Sequence, residues 1–270
     1  MQISVFYDHI QEASVQSGLS IQEILPQIHT FGIDALECCI DAVKGKESSM
    51  RRMFEAAGLQ VSCLYGTFQL AKNPNQKDAY EFIDSAEKMG CDKVLIIPGF
   101  VSANAFLFIK KHAMKKMAYA LNKLCAYAAK KRIVITMEDF DDCIAPFSTD
   151  DELVWFMRQV PALHCTFDTG NFKYQEIDEL QAFTKLKNKI VHVHCKDRAL
   201  TGLSGETPKV TVAGNSFYTA PVGSGCIHMK EIFDKLNSIG YDSTLAIEHF
   251  GAPDQLSYIR QSAAWISTNY

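Results

Sequence analysis

Short runs of apolar, largely β-branched residues alternate along the chain with longer stretches in which apolar residues recur every three or four positions. Eight such runs predict strands at residues 3–7, 33–39, 59–66, 92–99, 132–138, 163–168, 190–195 and 244–248. Their near-continuous apolar character is typical of a parallel sheet that is buried on both faces. The alternation of strands and helices predicts an α/β fold.

The stretches between these strands have the spacing of amphipathic helices. Residues 104–131 repeat apolar side chains at helical spacing and end in a lysine-rich turn, which suits the negative end of a helix dipole. Ser20 and Glu23 form a capping-box pair, which we expect to open the first helix. Eight strand–helix units favour a single-domain (β/α)8 TIM barrel over residues 1–270. An open doubly wound sheet is the alternative, and its dinucleotide-binding version loses support because no G-x-G-x-x-G follows the first strand.

One connection departs from this rhythm. Residues 197–227 form a long segment between the seventh strand and the next helix, and loops of such length are usually functional or disordered. Residues 207–221 within it have the pattern of a small hairpin. In a barrel this segment would lie on the face where active sites are built. A lid or substrate wall and a mobile surface excursion both stay open.

Composition and charge exclude several classes of protein. Hydrophobic residues make up 47% of the chain and charged residues 21%, which is ordinary for a globular domain. The net charge of −4 argues against nucleic acid as a partner, and the apolar runs are too short to span a membrane. The start of the chain lacks the pattern of a signal peptide, so we expect a cytoplasmic protein. The nine scattered cysteines indicate free thiols rather than a disulfide framework or a zinc site with cysteine ligands.

The candidate chemistry lies at the ends of four consecutive predicted strands, five to eight. These strands end at Glu138, Asp168, His194 and Glu248. A buried carboxylate is costly unless a cation or hydrogen bonds compensate its charge. Since side chains alternate across a strand, all four can point into the barrel at its C-terminal mouth. Three carboxylates and one imidazole predict one divalent metal ion of the Mn, Mg, Co or Zn type.

The same order of residues carries a family resemblance. With FDTGN after the sixth strand, HVHCKD at the seventh and PVGSG before the last unit, the chain resembles the xylose-isomerase-like barrel superfamily, and within it the sugar phosphate isomerase/epimerase group. The resemblance covers essentially the whole chain. It implies a single-metal barrel with Glu138, Asp168, His194 and Glu248 as ligands. In the epimerases of that group the two glutamates are also the proton-transferring pair, which implies catalytic roles for Glu138 and Glu248.

The surrounding positions depart from the ketose 3-epimerases of that group. Those enzymes have a glutamate six residues after the first metal glutamate, where this chain has Ile144, and a histidine three residues after the metal aspartate, where it has Asn171. An arginine follows their metal histidine, and Arg198 lies two positions earlier than that. We expect Asn171, Lys196 and Arg198 to contact substrate, the two basic ones through an acidic or phosphorylated group. Glu37 is either a further substrate contact or a structural hydrogen-bond acceptor.

The leading hypothesis for function is a metal-dependent isomerase or epimerase of a small sugar or related hydroxy-carbonyl compound. A base would remove the proton next to the carbonyl, and an enediolate would form under metal stabilisation. The alternative is an inosose-type dehydratase, which would eliminate water after the same first step. An apurinic-site endonuclease-like hydrolase and a non-catalytic carbohydrate-binding barrel are less favoured. The expected partner is a small-molecule carbohydrate, and the sequence is compatible with a homo-oligomer.

Overall fold

A closed barrel of eight parallel strands forms the centre of the molecule. It is seen in a computed structural model that describes residues 1–73, 75–203 and 205–270. The barrel strands are β1 (Gln2–Phe6), β2 (Ala35–Cys39), β3 (Gln60–Thr67), β4 (Lys93–Ile97), β5 (Val134–Met137), β6 (His164–Asp168), β7 (Ile190–Cys195) and β11 (Thr244–Ile247). Each strand is hydrogen-bonded to its neighbours in the order β1-β11-β7-β6-β5-β4-β3-β2, which confirms the predicted (β/α)8 barrel.

Helices surround this barrel. Within the described ranges they are α1 (Tyr7–Ser17), α2 (Ile21–Thr30), α3 (Ile40–Val43), α4 (Glu47–Ala56), α5 (Lys77–Met89), α6 (Leu107–Ala129), α7 (Asp150–Gln159), α8 (Glu179–Leu186), α9 (Met229–Ser238) and α10 (Gln255–Asn269). Across the residues that the structure describes, no helix has both the length and the apolar character needed to cross a membrane.

The expectation that Ser20 opens the first helix was wrong. The capping box of Ser20 and Glu23 is present, but it begins α2. Helix α1 precedes it and starts directly after β1, with Phe6 at its N-cap position and no side-chain cap. A helix that begins without a capping side chain leaves no start signal in the sequence, so the pattern alone could not separate its first turn from the preceding strand.

The strands place two kinds of side chain on their two faces. Alternate residues such as Ile135 and Met137 in β5 belong to the apolar core, which the helices complete. The intervening residues point into the barrel, and several of them are polar: the Thr136 and Thr166 hydroxyls lie 2.7 Å apart in its interior. The next inward-facing side chains, two residues further along β5 and β6, therefore lie together at the C-terminal mouth, where TIM barrels carry their active sites.

The segment between β7 and α9 contains a second, small sheet. It consists of β8 (Asp197–Ala199), β9 (Lys209–Val210) and β10 (Ser216–Ala220), with β10 antiparallel to both neighbours. The pairing of β9 with β10 is the hairpin expected for residues 207–221. The backbone N–H of Val212 also donates to the carbonyl of Tyr174, 3.0 Å away. The segment thus contains its own small sheet and bonds to the chain after β6, and Ser204 lies outside the described residues.

Candidate metal centre

The four strand-end residues converge on one point at the mouth of the barrel. One ligand atom from each of Glu138, Asp168, His194 and Glu248 lies within 4.8 Å of the others. Strand pairing explains the convergence, because Asp168 and Ala246 both pair with His194 in the strands on its two sides. All four side chains are buried, with exposed fractions between 0% and 7%. The structure therefore assembles a group of ligand atoms that could hold a metal ion.

The unsatisfied polar atoms of this group fit a cation. Among the residues that the structure describes, Glu138 Oε2, Asp168 Oδ2 and His194 Nδ1 are buried atoms with no hydrogen-bond partner, although the Lys196 ammonium lies 3.0 Å from Asp168 Oδ2. His194 Nδ1 lies 2.8 Å from a Glu138 oxygen and 3.1 Å from a Glu248 oxygen, but these contacts lack hydrogen-bond geometry. Buried polar atoms are rarely left unpaired. Three carboxylates and an imidazole nitrogen are ligands that Zn²⁺ and Mn²⁺ accept, so the donor set agrees with the predicted divalent ion.

Lys196 adds a positive charge next to these carboxylates. Its Nζ lies 2.5 Å from Glu248 Oε1 and 3.0 Å from Asp168 Oδ2, and it donates a hydrogen bond of 2.7 Å to Asn171 Oδ1. The lysine is 8% exposed. Burial alone would lower the pKa of the Lys196 ammonium, but Asp168 and Glu248 outweigh burial and raise it. Lys196 therefore stays positively charged and partly neutralises two of the carboxylates that would bind the metal ion.

The two glutamates of the group have opposite protonation preferences. Burial raises the pKa of Glu138 to about 7, because the attraction of His194 is too small to offset the loss of water and the repulsion of Glu248. Burial acts in the same direction on Glu248, but the charges of Lys196 and His194 outweigh it and lower the pKa of Glu248 well below its usual range. Of the two glutamates, Glu248 therefore loses its proton more readily, and Glu138 holds its proton more readily.

A cavity of about 480 Å³ opens above this group. Its lining combines charged and polar side chains, among them Glu138, Lys196 and Glu248, with apolar and aromatic ones. The apolar and aromatic lining residues include Phe6, Tyr65, Leu95, Ile97, Phe140, Phe217 and Phe250. A cavity of this size, lined by both apolar and polar groups, is typical of a small-molecule site.

Asn171 and Arg198, expected from the sequence to contact substrate, both line the cavity, as does Lys196. The guanidinium of Arg198 also donates a 2.9 Å hydrogen bond to Asp141. The other carboxylate oxygen of Asp141 forms an ion pair with Lys209 Nζ, 3.2 Å away. Lys209 was not predictable as a site residue, because it lies in the 197–227 segment and belongs to no recognisable motif. Substrate contact by Asn171, Lys196 and Arg198 stays a prediction.

Glu37 has a different position from the other candidates. Its side chain is 0% exposed and is not among the residues that line the cavity. It accepts hydrogen bonds from His192 and His194 in the interior of the barrel. This placement favours the structural acceptor of the two roles that the sequence left open.

Asp197 joins the two most family-specific segments, HVHCKD and PVGSG. Its Oδ2 accepts the backbone N–H groups of Gly223 and Gly225 at 2.9 Å, and its Oδ1 accepts that of Ile227 at 3.2 Å. A Cβ atom on Gly225 would lie 2.2 Å from Oδ1 of Asp197, so only glycine fits this approach. The sequence marked both segments but could not show that they bond to each other.

Comparisons with known proteins agree with this architecture. The model of the xylose isomerase-like TIM barrel family matches residues 25–269. Among curated proteins, the chain is 24% identical to an inosose dehydratase of Clostridium beijerinckii over 249 residues, covering 82% of each chain. An inosose dehydratase of Clostridium botulinum is 27% identical over 232 residues, which cover 74% of this chain and 72% of that protein.

Among solved structures, the fold is similar to that of the IOLI protein with a binding zinc atom, with a TM-score of 0.76, 14% identity and coverage of 100% of this chain and 99% of the other. It is also similar to L-ribulose 3-epimerase, with a TM-score of 0.73, 17% identity and coverage of 100% and 94%. The barrel topology, the buried ligand group at its mouth and the match over nearly the whole chain lead to one conclusion: the chain belongs to the xylose isomerase-like TIM barrel family.

Proposed function

We propose that this protein is a divalent-metal-dependent isomerase or epimerase of a small polyhydroxy carbonyl compound. One observation carries the proposal: two glutamates with opposite protonation preferences, Glu138 and Glu248, border the same buried ligand group at the base of a cavity. Pairs of carboxyl groups whose pKa values are pushed apart are the usual basis of acid and base roles in one site. Relatives named as dehydratases and epimerases support the same class of substrate.

In this proposal Glu248 is the base. Its carboxylate is ionised at neutral pH because Lys196 lies 2.5 Å away and offsets the cost of burying the charge. An ionised carboxylate at the base of the cavity accepts the proton from the carbon next to the substrate carbonyl. A divalent ion held by Glu138, Asp168, His194 and Glu248 supplies Lewis-acid stabilisation for the negative charge that develops on the substrate oxygens.

Glu138 is the acid of the pair. Burial and the charge of Glu248 raise the pKa of Glu138, so this side chain holds a proton more readily than Glu248 does. Protonation of the same carbon from the other face gives an epimer, and protonation of the neighbouring carbon exchanges aldose and ketose. Apolar side chains in the cavity lining, such as Phe6 and Phe250, limit direct protonation of the reacting carbon by water. The proton therefore comes from Glu138, whose own proton exchanges with the solvent.

Dehydration is a second candidate, favoured by the names of the curated relatives, which are inosose dehydratases. The first step is identical, with Glu248 removing the proton next to the carbonyl. Glu138 then gives its proton to a hydroxyl on the next carbon, the C–O bond breaks, and the hydroxyl leaves as water. The same two side chains therefore serve both reactions, and the position of the leaving hydroxyl decides between them.

Incubation in deuterated water tests the proposal. Purified protein with Mn²⁺ is offered a panel of ketoses, ketose phosphates and inososes, and products are followed by NMR and mass spectrometry. We expect deuterium at the carbon next to the carbonyl with the mass otherwise unchanged, whereas loss of 18 mass units (one water) would select dehydration.

Glu248→Gln should abolish deuterium incorporation. Glu231→Gln, which makes the same change on the exposed surface of α9, should leave it unchanged. Full incorporation by the Glu248→Gln variant, or none by the wild type across the panel, would contradict the proposal.

A further inference from the structure

A second buried cluster lies beneath the ligand group, in the interior of the barrel. It consists of Glu37 from β2 and of His192 and His194 from β7, and none of the three side chains is more than 1% exposed. Glu37 Oε2 lies 2.7 Å from His192 Nε2, and both oxygens of Glu37 lie 3.2 Å from His194 Nε2. His194 therefore belongs to both clusters and presents a different ring nitrogen to each.

The chemistry of the partners fixes which nitrogen of His194 carries the proton. An ionised carboxylate only accepts hydrogen bonds, so Nε2 must donate its N–H to Glu37. Both oxygens of Glu37 face imidazole nitrogens, so this carboxylate is the acceptor for both His192 and His194. In a neutral imidazole the other nitrogen, Nδ1, then carries the lone pair, and Nδ1 is the atom that faces Glu138 and Glu248.

The lower cluster could itself be taken for a metal site, since its ligand atoms also lie within 4.8 Å of one another. The geometry argues against this. The 2.7 Å contact between Glu37 Oε2 and His192 Nε2 has hydrogen-bond geometry, so these polar atoms already have partners, unlike Glu138 Oε2 and His194 Nδ1 in the upper group. Neither Glu37 nor His192 lines the cavity, so no substrate in the cavity would touch an ion held there.

We propose that Glu37 is a positioning residue, which holds His194 in the tautomer and orientation that present Nδ1 to the metal ion. His192 donates to the same carboxylate and so fixes Glu37 in turn. This inference rests on the metal centre of the proposed function. A carboxylate that accepts the second N–H of a ligand histidine sets its tautomer and raises its basicity, and loss of such a partner lowers metal affinity by about 10–100-fold.

Glu37→Gln is the informative variant because it keeps the size of the side chain. Its amide has one acceptor oxygen, and its NH2 group must face one of the two histidines as a donor. Where it faces His194, Nε2 must give up its proton and Nδ1 must carry one, which blocks the ligand nitrogen. Ser62→Ala is the matched control, since the buried Ser62 hydroxyl bonds to the Ser4 hydroxyl at 2.8 Å and to the Leu36 carbonyl at 3.1 Å but to neither histidine.

Two measurements test the inference. Calorimetric titration with Zn²⁺ should give an affinity about 10–100-fold lower for Glu37→Gln than for the wild type, and an unchanged affinity for Ser62→Ala. NMR of the ¹⁵N-histidine-labelled, Zn²⁺-loaded wild type should show His194 protonated at Nε2 and bound through Nδ1.

The possible failures can be told apart. Unchanged Zn²⁺ affinity in Glu37→Gln, or zinc bound through Nε2, would overturn the positioning role alone. A wild-type protein that binds no Zn²⁺ would overturn the metal centre together with it.

Discussion

Removal of the Asp197 carboxylate should loosen the wall of the cavity. This side chain is 1% exposed and accepts four backbone N–H groups. Oδ1 faces Arg198 at 2.8 Å and Ile227 at 3.2 Å, and Oδ2 faces Gly223 and Gly225 at 2.9 Å. Burial raises the pKa of this carboxyl despite the four bonds, so the stabilisation lies in satisfying the donors rather than in the charge itself. The informative changes are Asp197→Asn and Asp197→Ala.

The magnitude follows from how the four donors are divided. Asparagine has almost the shape of aspartate, but its NH2 group must face two N–H donors whichever way the amide turns. The less costly orientation turns NH2 toward Gly223 and Gly225, which are exposed and can bond water instead. An unsatisfied buried donor costs about 1–3 kcal/mol, so we expect Asp197→Asn to lower the free energy of unfolding by about 2 kcal/mol. Asp197→Ala leaves all four donors without an acceptor, and we expect a loss of about 3–4 kcal/mol.

Urea unfolding followed by tryptophan fluorescence measures this change, since Trp265 lies directly beside Gly223. Asp234→Asn is the matched control, because its side chain is 62% exposed and only forms a 3.4 Å pair with Lys230. An exposed pair of this kind contributes less than about 1 kcal/mol. If the free energy of unfolding of Asp197→Asn lies within about 0.5 kcal/mol of the wild-type value, these hydrogen bonds do not stabilise the loop as argued.

Three further predictions concern the metal centre. A chelator should remove activity, and Mn²⁺, Mg²⁺, Co²⁺ or Zn²⁺ should restore it; activity that survives complete metal removal, checked by elemental analysis, would count against the site. Metal affinity should rise with pH. Burial lowers the pKa of His194, but the charges of Glu37 and Glu138 outweigh it and raise this pKa well above its usual value, so the ion must displace a proton to bind. Calorimetric titration at several pH values measures the change in affinity. Lys196→Met should raise the pKa of Glu248, so the acidic limb of the pH–rate profile should move to higher pH, and an unmoved limb would show that Lys196 does not keep Glu248 ionised.

The barrel was predictable because short apolar strand patterns alternate eight times with stretches in which apolar residues recur every three or four positions. Strand ends were predictable to within about two residues, and the four ligands followed from their place at those ends. Helix α1 was not predictable, since it follows β1 at once and has no capping side chain. Its detection needs the tertiary packing that stabilises it.

The site was predictable in its ligands but not in its supporting contacts. Alternation along the strands brings Glu138 and Asp168 to one face, which depends only on local geometry. The bond from Glu37 to His194 joins residues 157 positions apart, and that from Asp197 to Gly225 spans 28 positions. Such contacts depend on strand order and on the path of the loops, and local patterns in a single sequence do not reveal either. The pKa shifts of the two glutamates arise from burial and from Lys196, and were hidden for the same reason.

A crystal structure of the Mn²⁺-loaded protein, with the ion located by anomalous scattering, is the decisive test of the four-ligand metal site. We expect one ion at the mouth of the barrel, about 2.0–2.3 Å from Nδ1 of His194 and from one oxygen each of Glu138, Asp168 and Glu248. We also expect the Glu37 carboxylate on the opposite nitrogen of His194. An ion between Glu37 and His192, or no ion at the four strand ends at saturating Mn²⁺, would contradict the four-ligand site.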